Sequence, residues 1–167
     1  TDGYRNTSKT KTIGDKSHLF SKYIKKFYGK NNSETNFSIQ TQNVSNDKYL
    51  KLYRIKSNLA DYNEDILENS IKFSHSNDDY FFSANTHLYE TLKEDYNDKY
   101  EYIMPEIIFD KNLFNNRYYG NLDLQTNFKV NNFETNKTSK FLINDFNWSS
   151  KDFKLNTAHH LNKIFPK

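Results

Sequence analysis

The chain has 167 residues, a net charge of +3 from 24 basic and 21 acidic side chains, and no cysteine. A thiolate metal site and a disulfide framework are therefore excluded, and the charge is too balanced to point to nucleic acid. Mean hydropathy is −1.00, a polarity typical of disordered chains, but 17% of residues are aromatic and only four are Gly and two Pro, which favours a folded domain.

Residues 1–11 are polar, with Lys9 and Lys11 among Thr and Ser. The chain opens Thr-Asp-Gly, which reads as a piece of a longer protein. A first strand is expected within Thr12–Tyr28, centred on His18–Ile24, followed by a turn at Gly29–Ser33. Between Thr35 and Val44 apolar and polar residues alternate. Phe37 and Ile39 point one way, Asn36, Ser38 and Gln40 the other. A long connection runs from Ser45 to about Asp65, and its Asp47–Arg54 segment reads as a short strand or packed loop.

Leu67–Glu90 has the clearest pattern. With Asn77-Asp78 as a two-residue turn, Phe73 falls opposite Phe82, Ile71 opposite Ala84 and Leu67 opposite Leu88. The other face pairs Lys72 with Ser83 and Ser70 with Asn85. Thr91–Asp98 is a charged connection. Lys99–Phe109 is a further strand in which Pro105, lacking an amide donor, marks a bulge, an edge or a strand end. Asp110–Asn116 reads as a turn region. Arg117–Val130 alternates cleanly, with Leu122, Leu124 and Phe128 against Asp123, Gln125 and Asn127. Asn131–Thr138 is a loop, Ser139–Ser149 a strand, 149–152 a tight turn and Phe153–Thr157 the start of a last strand. Residues 158–167, beginning Ala-His-His-Leu, do not continue the pattern and read as an atypical polar tail after a domain spanning 1–157.

The expectation is an all-β, antiparallel up-and-down meander of about eight strands. Connections alternate between short and long, so the short turns share one end of the sheet, as the periplasmic turns of outer-membrane barrels do. The absence of an 18-residue apolar run rules out a membrane helix but not a membrane strand, which needs only ~9–11 residues.

No catalytic or metal-binding constellation stands out, and no cofactor motif is present. His75 and His87 are not opposite each other in the proposed register and read as ordinary strand positions; His159-His160 read as solvated. Carboxylates cluster in Asp61–Glu68 and Glu94–Glu101, where a hydrolase would place a catalytic pair, but both clusters fall in connections where charge serves solvation. Lys25-Lys26 beside Phe27-Tyr28 reads as a strand end, with the aromatic residues suited to an interface girdle.

Two runs resemble the barrel domain of the LptD family of outer-membrane lipopolysaccharide-assembly proteins. One is Phe37–Leu50, a strand followed by Val-Ser-Asn-Asp-Lys-Tyr opening a loop. The other is Tyr100–Phe109, an aromatic pair followed by Pro and a strand. The resemblance spans about residues 12–157. It implies a slice of a larger barrel in the outer membrane of a Gram-negative bacterium, transporting lipopolysaccharide without covalent chemistry. The implied partners are lipopolysaccharide, a plug lipoprotein, periplasmic bridge proteins and outer-membrane lipid, with no nucleic acid. In this reading Phe37, Ile39, Ile71, Phe73, Phe82, Ala84, Leu122, Leu124 and Phe128 face lipid. Asn36, Ser38, Gln40, Lys72, Ser83, Asn85, Asp123, Gln125 and Asn127 face a hydrated lumen. Periodicity alone fits a soluble β-sandwich carbohydrate-binding module equally well, with the same apolar face packed on a second sheet; the resemblance favours the barrel.

Overall fold

The computed structural model describes residues 17–93, 99–133, 137–150 and 153–166. Eight strands form one antiparallel sheet in sequence order: β1 (His18–Tyr28), β2 (Glu34–Val44), β3 (Ile66–Ser76), β4 (Tyr80–Thr91), β5 (Tyr100–Asn116), β6 (Gly120–Phe133), β7 (Lys137–Ser149) and β8 (Lys154–Pro166). This is the expected meander. β1 and β8 are not paired with each other, so the sheet is open rather than a closed barrel. β1 and β2, β3 and β4, β5 and β6, and β7 and β8 are joined at one end of the sheet, the short-turn end, and β2 and β3, β4 and β5, and β6 and β7 at the other.

Local chemistry explains the turns. Asn31 and Asn32 both adopt positive φ, 57° and 52°, which asparagine tolerates better than most residues. At the β3–β4 turn the Asn77 amide donates to the Tyr80 carbonyl (3.0 Å), and the Asn77 side-chain oxygen accepts from the amides of Asp79 and Tyr80, both 2.9 Å. Asn77 thus closes the hairpin, and Asp78-Asp79 form the two-residue loop. This corrects the expected register by two residues: Phe73 pairs with Ala84, Ile71 with Thr86, Leu67 with Glu90, Lys72 with Asn85 and Ser70 with His87. An even shift leaves every side chain on its expected face.

Three further expectations are corrected. Asp110–Asn116 is strand, not turn; β5 continues to Asn116, and the turn is 117–119. The alternation fails there because the β5–β6 register shifts between Asn112 and Phe114, leaving Leu113 as an extra residue. Residues 158–166 are not a patternless tail but most of β8, paired with β7 from Lys154 to Pro166. Tyr49–Leu52 forms a single helical turn, α1, inside the Asp47–Arg54 segment. Pro105 lies at a bulge: β5 carries one more residue than both neighbours between Ile103 and Glu106.

The buried apolar core is small. Val44, Tyr49, Leu50, Leu67 and Leu92 cluster with Phe20, Ile55 and Tyr62 at the long-connection end. There β2 and β3 part beyond the Gln40–Ser70 pair, and polar side chains take over from the ladder. The Gln42 amide donates to the Asn69 side chain (2.8 Å), the Gln42 side-chain oxygen accepts from the Glu68 amide (2.6 Å), and its nitrogen donates to the Leu59 carbonyl. These bonds satisfy buried backbone groups that a split sheet would otherwise orphan. The buried Lys99 ammonium lies 2.6 Å from both oxygens of Asp47, tying the 45–65 connection to the start of β5.

Candidate functional site

The registers sort the side chains into two faces. On one face a single row crosses all eight strands: Lys25, Phe37, Phe73, Ala84, Ile107, Phe128, Leu142 and Leu161. Rows on either side add Ile39 opposite Ile71, Phe82 opposite Phe109, Leu124 opposite Phe146, and Leu122 opposite Trp148. All nine residues proposed to face lipid therefore share one face. Their side chains are only partly covered: Ile71 is 50% exposed, and Ile39 and Phe73 37% each. No second layer covers this face among the described residues, since every strand belongs to the one sheet and α1 packs with the end cluster.

The opposite face carries Ile24, Ser38, Lys72, Asn85, Glu106, Lys129, Phe141 and Asn162 in the neighbouring row. All nine residues proposed to face a lumen lie on it. Asn36 pairs with Ser74 and Gln40 with Ser70, Ser83 with Ser74, Asp123 with Asn147, Gln125 with Asp145, and Asn127 with Ile143. Charges connect across four strands here. Lys72 lies 3.2 Å from Glu68, and the His87 Nδ1–H donates to Glu68 at 3.0 Å. Glu106 sits 4.0 Å from His87 Nε2 and 3.9 Å from Lys129. The Tyr89 ring stacks on His87, with centroids 5.8 Å apart. The face is not uniformly polar, for Ile108, Phe141 and Ile143 also lie on it.

The chain of charges escapes sequence reading because its members come from four strands; only the register juxtaposes them. His87 reaches Glu68 diagonally, since its direct partner is Ser70. His75 contacts Thr35 (2.7 Å) and the ring of Tyr80. The apolar residues missed on β5 and β7, such as Ile107, Phe109, Leu142 and Phe146, were hidden by Pro105 and by the mixed pattern of β7.

Three carboxylates of Asp61–Glu68 each have a basic neighbour. Asp61 approaches Lys56 (3.7 Å), Asp65 accepts from Lys51 (2.6 Å), and Glu68 belongs to the charge chain. The Lys51 ammonium holds the Asp65 carboxyl below the usual carboxylate range. Glu94, Asp95 and Asp98 of the second cluster lie outside the described residues. Among the described residues no group of three His, Asp or Glu is placed to hold a metal ion. Lys25 and Lys26 point to opposite faces, Lys25 over the Phe27 ring (5.5 Å) and Lys26 toward Glu34 (3.5 Å). Comparison of the chain with protein-family models, curated proteins and solved structures gives no match.

Proposed function

We propose that this chain is a wall segment of an outer-membrane β-barrel translocon that carries lipopolysaccharide to the surface of a Gram-negative bacterium. The observation that carries the barrel part is the uncovered apolar row running through seven of the eight strands, Phe37 to Leu161, back to back with a polar row. A one-layer antiparallel sheet with this division suits a wall between lipid and a hydrated interior. The lipopolysaccharide part rests on the resemblance of Phe37–Leu50 and Tyr100–Phe109 to the LptD family, with a plug lipoprotein and periplasmic bridge proteins as the partners it implies. The role is passage, with no covalent step: a polar interior face guides the sugar portion while the apolar portion stays with the membrane.

A soluble sandwich carrying a carbohydrate site is the second reading; it requires another sheet over the apolar row. Arginine placement separates the two. Phe73→Arg or Leu124→Arg is expected to cost ~2–4 kcal/mol of stability in a bilayer near mid-depth, whereas Lys72→Arg on the adjoining polar row is expected to be near neutral. Equal tolerance of Arg at Phe73 and at Lys72 in a bilayer-stability assay would remove the lipid-facing assignment.

A further inference from the structure

On the polar face, toward the long-connection end, β3, β4 and β5 place Glu68, Tyr89 and Glu101 side by side in one row, an aromatic ring between two carboxylates. Beside this row Ile66, Tyr89, Thr91, Lys93 and Glu101 line a hollow of about 350 Å³, a size within the range of small-molecule sites, about 300–1,000 Å³. Backbone bonds fix its frame. Ile66 pairs with Thr91, the Leu92 amide donates to the Asp65 carbonyl (2.7 Å), and the Thr91 amide donates to the Lys99 carbonyl (2.9 Å).

The Tyr89 ring is held in place by its own neighbours. It lies nearly parallel to the His87 ring, at 11°, and its hydroxyl oxygen is 3.3 Å from His87 Nδ1. That nitrogen also donates to Glu68, which Lys72 holds from the other side at 3.2 Å. His87 does not line the hollow, so the hollow meets the side of the Tyr89 ring turned away from it. Lys93 and Glu101 are both exposed and line the same hollow without forming an ion pair with each other.

We infer that this hollow is a binding site for an uncharged pyranose sugar. The negative face of an aromatic ring attracts the polarised C–H groups on one side of a pyranose, and Ile66, 52% exposed, adds apolar contact beside it. Sugar hydroxyls both donate and accept, and the rim meets both needs: the Glu101 carboxylate accepts, the Lys93 ammonium donates, and the Thr91 hydroxyl does either. Lys93 and Glu101 balance in charge, and Glu68 stands behind the ring, so a sugar carrying phosphate or carboxylate meets two carboxylates and is disfavoured. Because the ring is already oriented by His87, little side-chain freedom is lost on binding. Such a site needs only the polar face, and so it stands whether that face lines a lumen or the outside of a sandwich.

Amide chemical-shift titration of the isotope-labelled 167-residue chain, in micelles of a detergent without a sugar headgroup, reads the site. The probes are the methyl α-pyranosides of glucose, galactose and mannose. At least one is expected to shift the amides of Tyr89, Thr91 and Glu101 saturably while leaving those of Leu124 and Phe128 in place. Tyr89→Phe, which keeps the ring, is expected to bind as the wild type does, and Tyr89→Leu to lose binding. Glu101→Gln, at an exposed position, is expected to bind about tenfold more weakly, since a carboxylate is the stronger acceptor. Glucose 6-phosphate is expected to bind more weakly than methyl α-glucopyranoside. Saturation by none of the pyranosides, wild-type affinity in both Tyr89→Leu and Glu101→Gln, or tighter binding of the phosphate ester would overturn the site. Arginine tolerance at Phe73 in a bilayer reports on the wall reading separately, so the two fail independently.

Discussion

Asp47 and Lys99 show how a polar chain stabilises a fold with so small a core. Both side chains are nearly sealed, and the ammonium reaches both carboxylate oxygens at 2.6 Å. The pair joins segments 52 residues apart in sequence, and both its residues are buried. Removing one partner leaves the other charged and desolvated. Asp47→Ala is therefore expected to cost ~3–5 kcal/mol by urea titration, while the double change Asp47→Leu/Lys99→Met recovers most of the loss. Asp65 presents the contrasting case. Its pair with Lys51 is about one-third exposed on the Asp65 side, so solvent screening limits it to ~0.2–1 kcal/mol. Because its folded-state pKa lies below the unfolded value, this contribution is present above about pH 4 and is lost as pH falls through the depressed folded value. The stability difference between wild type and Asp65→Asn should accordingly be measurable at neutral pH, shrink in high salt and vanish in strong acid.

At the scale of elements, the β5–β6 hairpin tests whether turn geometry, rather than side-chain pattern, holds the sheet's longest strand pair. Gly120 has φ +89°, and a Cβ there would meet the Ser149 carbonyl oxygen at 2.2 Å. Gly120→Ala combines a left-handed backbone with a clash against backbone and is expected to cost about 1–3 kcal/mol, read as a lowered unfolding midpoint. This hairpin also shows what sequence reading reaches. The alternation Leu122, Leu124, Phe128 against Asp123, Gln125, Asn127 assigned β6 and both its faces, because an unbroken strand has a strict period of two. Its partner β5 reads from sequence as ending at Phe109, since an inserted Leu113 inverts the alternation and makes strand look like turn. The β3–β4 register differs by two from the one the alternation predicts because Asn77 acts as the closing residue through its side chain, a role its backbone propensity does not announce. Residues 158–166 escaped for a different reason: β8 is held by backbone pairing to β7, and its His159-His160 step carries no apolar signal. The Asp47–Lys99 pair and the Glu68–His87–Glu106 chain had no local signature at all, since each depends on how distant segments meet.

For the whole molecule, the central question is what covers the apolar row. Among the described residues only six apolar side chains are buried, and they gather at one end rather than along the sheet. The sheet's centre is therefore a single layer whose apolar side chains gain little from each other and need another apolar phase. A patch of this extent drives association in water, and the edges at β1 and β8, each paired on one side only, add unsatisfied backbone groups that do the same. The wild-type chain is thus expected to sediment as large species in detergent-free buffer and as a monomer in micelles. Replacing Ile39, Ile71 and Phe73 together by Thr keeps good strand formers in place while removing apolar surface from the centre of the patch. That triple variant is expected to shift the distribution toward smaller species in water and to lose affinity for micelles. Ser38→Thr and Ser83→Thr on the polar face are expected to change neither. Analytical ultracentrifugation with and without detergent reads all of these states. A wild-type chain that sediments as a monomer without detergent would mean that the apolar row is compatible with water as it stands, and the wall reading would fail with it.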